Sequence, residues 1–380
     1  MKVVVFCHSV WSDWNNGNAH FLRGVVAELL ARGHRVRVYE PAQGWSRRHL
    51  IAAQGGAALE GVRSAFPWMD AVAAVVDGPD VERLTEGADL VLVHEWNDPR
   101  LVARVGRERE RAGYRLLFHD THHRSMTDPA AMARLELSHY DGVLAFGTVI
   151  RDVYLERGWA ERAWTWHEAA DTSMFRPLEP AGRRRDLVWI GNWGDGERSR
   201  ELHEFLVQPV ARLGLAADVH GVRYPVAALG ALARAGIGYG GWLPNHHVPA
   251  VFSAHRVTVH VPRRAYAEAL PGIPTIRPFE ALACGIPLVS APWDDCERLF
   301  TAGEDHLVAQ NGGQMERHLR DVLHDAALAR SLSENGLRTI AGRHTCAHRV
   351  DELLGICSEL RMDVRVEPAV RGDRTELARA

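Results

Sequence analysis

The chain has 380 residues, with 45 Lys or Arg against 48 Asp or Glu and a formal net charge of −3. That balance excludes the basic stripe of a polyanion binder, so nucleic acid is not expected as a partner. With 46% hydrophobic residues, and a length above the range in which one core keeps growing, the chain is expected to form two domains.

The positive charge is almost all arginine, because Lys2 is the only lysine. The five cysteines, Cys7, Cys284, Cys296, Cys346 and Cys357, are scattered and never form a close CxxC pair. Such usage fits free thiols in a reducing compartment, and a cytoplasmic location is expected. The chain opens directly on an apolar run, Val3 to Phe6, without a basic leader, and nowhere do eighteen apolar residues follow one another. Neither a signal peptide nor a membrane span is expected.

In chain order, an apolar strand at 2–7 leads into a polar loop from His8 to Asn18. A helix-periodic stretch from Phe21 to Ala31 follows, closed by Gly33, and then a strand at 36–39. This β-α-β pattern predicts a parallel sheet. Further strands are expected at 89–94, 115–119 and 141–146, each separated by enough chain for a crossover helix. The run Phe175 to Arg185, rich in proline and arginine, has the composition of an interdomain joint. Strand and helix signals then restart. Strands are expected at 187–191, 216–220, 256–261 and 286–290, and helices near 197–213, 247–254, 278–284 and 314–341. The fold class is therefore α/β, with two Rossmann-like halves. The domains are expected at 1–175 and 176–345, followed by a helix at 346–364 that crosses back to the first domain and a loose charged tail at 365–380.

GxxxxGK[ST] does not occur, and GxGxxG occurs only at Gly236 to Gly241, where it neither follows an expected strand nor opens a helix, so any ligand must be held in another way. The loop from His8 to His20 joins the first strand to the first helix, where amides can face an anion, and Gly17 would let a ligand approach the backbone. Trp11 and Trp14 in that loop, with Trp45 and Trp68, are candidate stacking surfaces. His119, Asp120, His122 and His123 cluster after a strand, where ligands of open α/β sheets bind. Adjacent histidines point apart in most conformations, so a hydrogen-bonding or acid/base histidine is expected there, and no metal site. The segment His344 to Arg349 carries a similar metal-like spacing but precedes the last helix, and it reads as a cap and packing element.

The most specific stretch runs from 236 to 308. A turn at Gly241-Trp242-Leu243 is followed by a short helix. Further on, the Gly/Pro-rich loop Pro271 to Thr275 opens a helix carrying Glu280, with Gly285 as its stop. Free amides from Thr275 through Ile276 to Arg277 would suit a phosphate. An ionised Glu280 could accept both hydroxyls of a ribose.

These residues resemble the retaining glycosyltransferases of the GT-B fold, family 4 or group 1, and among them the CgeB-type enzymes. The resemblance is carried by Gly241-Trp242-Leu243, by Val248 to His255, by the block Phe279-Glu280-Ala281-Leu282-Ala283-Cys284-Gly285-Ile286-Pro287, and by the helix exit Arg32-Gly33-His34-Arg35-Val36. It implies two Rossmann-like domains facing a central cleft in a bacterial, cytoplasmic hexosyltransferase-like enzyme. The donor would be a nucleoside-diphosphate sugar, bound without cofactor or metal mainly by the second domain. A small-molecule or glycan acceptor would lie mainly on the first.

The resemblance also implies roles. His119 matches a histidine near the donor sugar, and Glu280 matches the second glutamate of an E-x7-E motif, the one that holds the ribose. The first glutamate, which contacts the donor sugar, falls at Gly272 in this chain. Gly17, Trp242, Thr275 and Ile276 fall in donor-binding segments. Because no lysine other than Lys2 exists, the diphosphate contact is expected to be arginine, with Arg198 first and Arg223 and Arg264 next. Gly272 keeps one alternative in view, a GT-B nucleotide-sugar isomerase or epimerase; a second is a non-catalytic protein that keeps the fold after losing activity.

Overall fold

The computed structural model describes residues 1–194 and 196–364, and the expected loose tail lies outside the described residues. The chain divides into two compact units, Met1–Glu168 with the segment from Cys346 onward, and Ala169–Thr345. The division thus falls at 168/169 rather than at 175/176. The reason is local. Residues 169–175 are anchored within the second unit, where the amide of Ala170 donates to the carbonyl of His344 at 3.0 Å and Phe175 is fully buried.

The first unit is built on seven parallel strands: β1 Lys2–Phe6, β2 Arg35–Pro41, β3 Ala73–Val76, β4 Leu90–His94, β5 Arg115–Asp120, β6 Gly142–Ala145 and β7 Ala163–Thr165. Their order across the sheet is β3-β2-β1-β4-β5-β6-β7. The central strands are continuous apolar runs, Val3-Val4-Val5 and Leu90 to Val93, buried throughout, as a sheet covered on both faces requires. The last helix, Cys346–Glu359, belongs to this unit and is tied to it by Trp166 Nε1, which donates to the carbonyl of Arg349 at 2.7 Å.

The second unit repeats the plan with six parallel strands: β8 Arg185–Ile190, β9 Ala217–His220, β10 Gly238–Tyr239, β11 His255–His260, β12 Leu288–Ser290 and β13 Leu307–Val308. Their order is β10-β9-β8-β11-β12-β13. In each unit the strand order reverses beside the first strand, between β1 and β4 and between β8 and β11. In open α/β sheets, the carboxyl ends of the strands on either side of such a reversal form the ligand crevice.

Two expected helices differ. The stretch 314–341 forms two helices, Gly312–His324 and Ala326–Arg343. Asp325 breaks it: its backbone is extended, and its carboxylate accepts from the amides of Ala327 and Leu328, capping the second helix at its start. The stretch 197–213 forms a short α-turn Ser199–Leu202, a wider π-turn His203–Val207 and a helix Gln208–Leu213. Pro209, which has no amide hydrogen to give, sits where the wide turn ends.

Candidate functional site

In the first unit, the loop after β1 is organised by a buried carboxylate on β2. Glu40 Oε2 accepts from Ser9 Oγ at 3.0 Å and from the amides of Val10 and Trp11 at 2.7 and 2.9 Å. Those two amides are therefore spoken for by a protein carboxylate. Arg23 and Asp13 form a fully buried pair at 3.4 Å beneath the same loop, and Arg23 Nε donates to the carbonyl of Val10 at 2.8 Å. Gly17 precedes the helix Asn18–Ala31 in an ordinary helical conformation, φ −64°. Trp11 and Trp14 are buried, Trp14 against His49 and Trp45, so of the loop's aromatic group it is Trp45 that reaches solvent.

The carboxyl ends of β4 and β5 carry parallel polar quartets, His94-Glu95-Trp96-Asn97 and His119-Asp120-Thr121-His122. The strand register sets His94 opposite His119. His119 Nδ1 lies 3.0 Å from His94 Nε2, with the rings edge to face at 4.6 Å. Trp166 at 4.8 Å and Phe21 at 6.3 Å enclose the His119 ring, and its Nε2 is buried with no hydrogen-bond partner among the described residues. Burial, followed by the neighbouring imidazole, pulls the His119 pKa well below the ordinary histidine value. Burial, then His8, takes His94 down to about 3. Both rings are thus neutral at pH 7. His119 is suited to a neutral hydrogen bond and is a poor proton acceptor.

Beside the pair, two carboxyls divide their roles. Burial raises the Asp120 pKa to about 6, opposed by the hydrogen bonds it accepts from the amide of His122 at 3.0 Å and from Tyr154 Oη at 2.9 Å, which favour its ionised form. Glu95 accepts from Thr121 Oγ1 at 3.1 Å through Oε1, while its Oε2 is buried without a partner among the described residues. Burial, then the charge of Asp120, pushes the Glu95 pKa up to about 8, which makes it the protonated member at neutral pH. Arg124 lies 4.0 Å from the ring centre of Trp96, whose indole is 42% exposed, and donates to the carbonyl of Glu95.

In the second unit the centre is Arg198. Its guanidinium bridges the carboxyl ends of β8 and β11, donating through Nη1 to the carbonyl of Val261 at 3.0 Å and through Nη2 to that of Asn192, over the Trp189 ring at 5.2 Å. Among the described residues these partners are carbonyls, which hold the charge without neutralising it, and Nε is buried without a partner among them. Burial, then Arg263, lowers the Arg198 pKa to about 10, so the group stays cationic at neutral pH. On one side three turns converge. Gly191 receives the hydroxyl of Tyr224 on its carbonyl at 2.8 Å, and the amide of Gly221 donates to the carbonyl of Gly241 at 2.8 Å. Gly221 has φ +150°, and a Cβ there would stand 2.0 Å from the Gly191 carbonyl oxygen. Trp242, next in the turn, has a buried indole N–H with no partner among the described residues.

On the other side, His260 at the end of β11 has Nδ1 2.9 Å from Ser290 Oγ and Nε2 3.4 Å from Thr275 Oγ1. Burial, then His306, Arg198 and Arg277, takes His260 down to about 3, so it is neutral. Thr275 has φ +66° and opens the helix Ile276–Ala283. Glu280 on that helix is fully buried and paired with Arg277. Arg198, Thr275, Ile276 and Glu280 are thereby gathered at the carboxyl ends of β8 and β11. Arg223, at φ +63°, is exposed in the turn after β9. Arg264 is also exposed, paired with Glu201 at 3.0 Å, while its neighbour Arg263 is half-buried and paired with Glu197.

Gly272 precedes this helix at φ +85°. A Cβ built there would lie 2.5 Å from Glu297 Oε1, so the space is taken by a carboxylate from another loop. Among the described residues, no group of three or more His, Cys, Asp or Glu side chains is placed to hold a metal ion.

Residues 198–355 match a family model described as glycosyl transferase-like. No curated protein matches the sequence. Solved structures do match over nearly the whole chain. Anabaena HepE in complex with UDP-glucose is 13% identical with a TM-score of 0.68, over 94% of this chain and 100% of that one. Sucrose-phosphate synthase from Thermosynechococcus elongatus is 15% identical with a TM-score of 0.62, over 95% and 99%. The T4 phage β-glucosyltransferase is 12% identical with a TM-score of 0.59, over 95% and 100%. The fold is GT-B.

Within this GT-B fold, several site residues carry no signal in one-dimensional spacing. His260, Arg263 and Arg277 reach the Arg198 centre from separate elements. His94 and Glu95 are different, because the His-acid dipeptide at the end of β4 is repeated at the end of β5, and two adjacent parallel strands ending alike is a legible pattern. Glu297 is visible only once Gly272 is seen to leave room for it.

Proposed function

We propose that the protein transfers a glycosyl group from a nucleoside-diphosphate sugar to the hydroxyl of an acceptor, with retention of configuration and without a resident metal. The observation that carries this reading is Arg198: a buried guanidinium held by carbonyls at the strand-order reversal of a glycosyl transferase-like domain. Breaking a glycosidic bond to a diphosphate places negative charge on the leaving group. A cation fixed in advance in a poorly hydrated place stabilises that charge without reorganising. Arginine serves well, since its fork is pre-organised and its charge survives burial.

The remaining assignments follow the same chemistry. Amides at the start of the helix Ile276–Ala283 add to Arg198 at the diphosphate, and Glu280 takes the ribose hydroxyls. Trp242 offers an indole face and a donor N–H in the neighbouring turn. In the first unit, the neutral His119 accepts a hydrogen bond from a substrate hydroxyl. The reaction needs no protein nucleophile in a front-side displacement. Structures of the same fold solved with UDP-glucose make UDP-glucose the first donor to try.

Thermal-shift measurements against UDP, GDP, dTDP and their sugars test the donor. A nucleotide at about 100 times its dissociation constant should stabilise the fold by about 2.7 kcal/mol. Absence of a shift with every nucleoside diphosphate overturns the reading. Conversion of the nucleotide sugar with no acceptor and no free sugar released identifies an isomerase instead.

A further inference from the structure

The pairing of His94 with His119 has a chemical consequence for the nitrogen that remains. The two residues are register partners on adjacent parallel strands, so their side chains leave the same face side by side. Nδ1 of His119 and Nε2 of His94 are 3.0 Å apart, and both rings are buried. Two neutral imidazoles at that distance share one proton: one facing nitrogen carries it and the other accepts. The choice decides what His119 shows at its far side. If His119 Nδ1 carries the proton, its Nε2 is a lone pair. If His94 Nε2 carries it, His119 Nε2 is an N–H.

Nε2 of His119 is buried and has no partner among the described residues. A buried N–H without an acceptor is the rarer and costlier defect, whereas an acceptor with an unused lone pair is better tolerated. The ring is also fixed in place, edge-on to Trp166 at 4.8 Å and tilted to Phe21 at 6.3 Å. The ring is therefore not free to turn over and put Cδ2 where Nδ1 faces His94.

We propose that His94 is a positioning residue for His119, holding it as the Nδ1–H tautomer so that Nε2 presents a lone pair to a substrate hydroxyl. The part of this that concerns substrate rests on the reading of the protein as a glycosyltransferase; the tautomer does not. Free imidazole side chains prefer the proton on Nε2, so this arrangement asks both rings to carry it on Nδ1; a buried His119 Nε2–H without an acceptor costs more than that preference, and His94 Nε2 supplies the acceptor that the Nδ1–H needs. A hydroxyl bound at His119 then donates its hydrogen to the ring and keeps its oxygen lone pairs for other contacts. With the opposite tautomer, the ring would donate to the hydroxyl oxygen.

The experiment is a long-range proton–nitrogen spectrum of the full chain with ¹⁵N-labelled histidine, with His119 assigned by its loss in His119→Gln. The expected result is Nδ1 protonated and Nε2 bare in the unsubstituted protein, reverting to Nε2–H in His94→Phe. His94→Gln, whose amide oxygen can accept from Nδ1–H, should restore the original pattern. It also guards against a general folding effect of the phenylalanine. In turnover with a nucleotide sugar, His94→Phe should lower kcat about tenfold, the weight of one hydrogen bond, with KM for the donor little changed, and His94→Gln should recover most of the loss. An Nε2–H signal from His119 in the unsubstituted protein overturns the proposal whatever the activity. A tautomer that reverts in His94→Phe with unaltered kcat overturns the role in transfer. Absence of transfer by the unsubstituted protein defeats the glycosyltransferase reading alone, and the spectra still decide the tautomer.

Discussion

Glu297 occupies the space that a side chain at Gly272 would need: a Cβ at 272 would stand 2.5 Å from its Oε1 and 2.6 Å from its Cγ. The backbone of Gly272, at φ +85°, is itself one that other residues adopt only with strain. Gly272→Ala therefore combines two costs, and they are separable. The substitution should destabilise by about 1–3 kcal/mol. Adding Glu297→Ala should return the part due to collision and leave the part due to φ, so the double-mutant cycle read by urea denaturation should show a favourable coupling of about 1 kcal/mol. Strict additivity would mean that Glu297 swings away at no cost.

Arg198 and Arg264, both arginines in the region that the family model matches, differ sharply in burial and partners. Arg198 is buried and held by two carbonyls; Arg264 is exposed and paired with Glu201 and Glu268. Arg198→Lys keeps a charge but cannot span both carbonyls in one plane. Calorimetric affinity for UDP should fall about tenfold or more in Arg198→Lys and stay within about twofold in Arg264→Ala, because exposed ion pairs contribute little. Equal losses in both variants would displace Arg198 from its role.

Most of the framework was legible because its signals are local. The apolar runs at Val3–Phe6 and Leu90–His94 announce strands buried on both faces, and Gly285 stops its helix with φ +67° where the pattern ends. β3 is not marked in the sequence, because Ala73–Val76 is a short run at the sheet edge, half-exposed, without alternation or strong turn signals. Asp325 shows a second limit. Hydrophobic period runs through it unbroken, and only its extended backbone reveals that one helix ends and another is capped there. Site residues are legible where they follow one strand, as at His119, and illegible where separate elements meet around Arg198, as at His260, Arg263 and Arg277. Spacing along the chain carries no record of which strand ends the parallel sheet sets side by side.

Glu95 gives the first unit a pH dependence of known sign. Its pKa is about 8 in the fold, pushed up by burial and by Asp120, and near the ordinary 4.5 in the unfolded chain. Between those values the unfolded chain has released the proton and the fold retains it. The stabilising contribution of the proton is complete below the unfolded value and is lost as pH rises towards 8. Glu95→Gln, neutral at every pH, should match the unsubstituted protein near pH 4.5 and exceed it increasingly towards pH 8, by on the order of 1 kcal/mol or more. Thermal melts of both proteins across that range give the test. A constant difference would show that Glu95 ionises in the fold as it does in water.

Glu280 tests the nucleotide assignment through a single atom of the ligand. It is fully buried, lies on the helix Ile276–Ala283 and is paired with Arg277. A carboxylate that accepts from both ribose hydroxyls should distinguish UDP from 2′-deoxy-UDP by the worth of a charged hydrogen bond, about 1.5–3 kcal/mol, or about tenfold to a hundredfold in affinity. Glu280→Gln keeps the volume and can still accept through its carbonyl oxygen, but it gives up the charge and half the accepting capacity. The ratio of the two affinities should shrink to about threefold or less, with affinity for the deoxy ligand little altered. Glu280→Ala should remove discrimination altogether while also destabilising the fold, because the half-buried Arg277 then loses this carboxylate partner. If UDP and 2′-deoxy-UDP bind equally well to the unsubstituted protein, Glu280 holds Arg277 and nothing of the ribose.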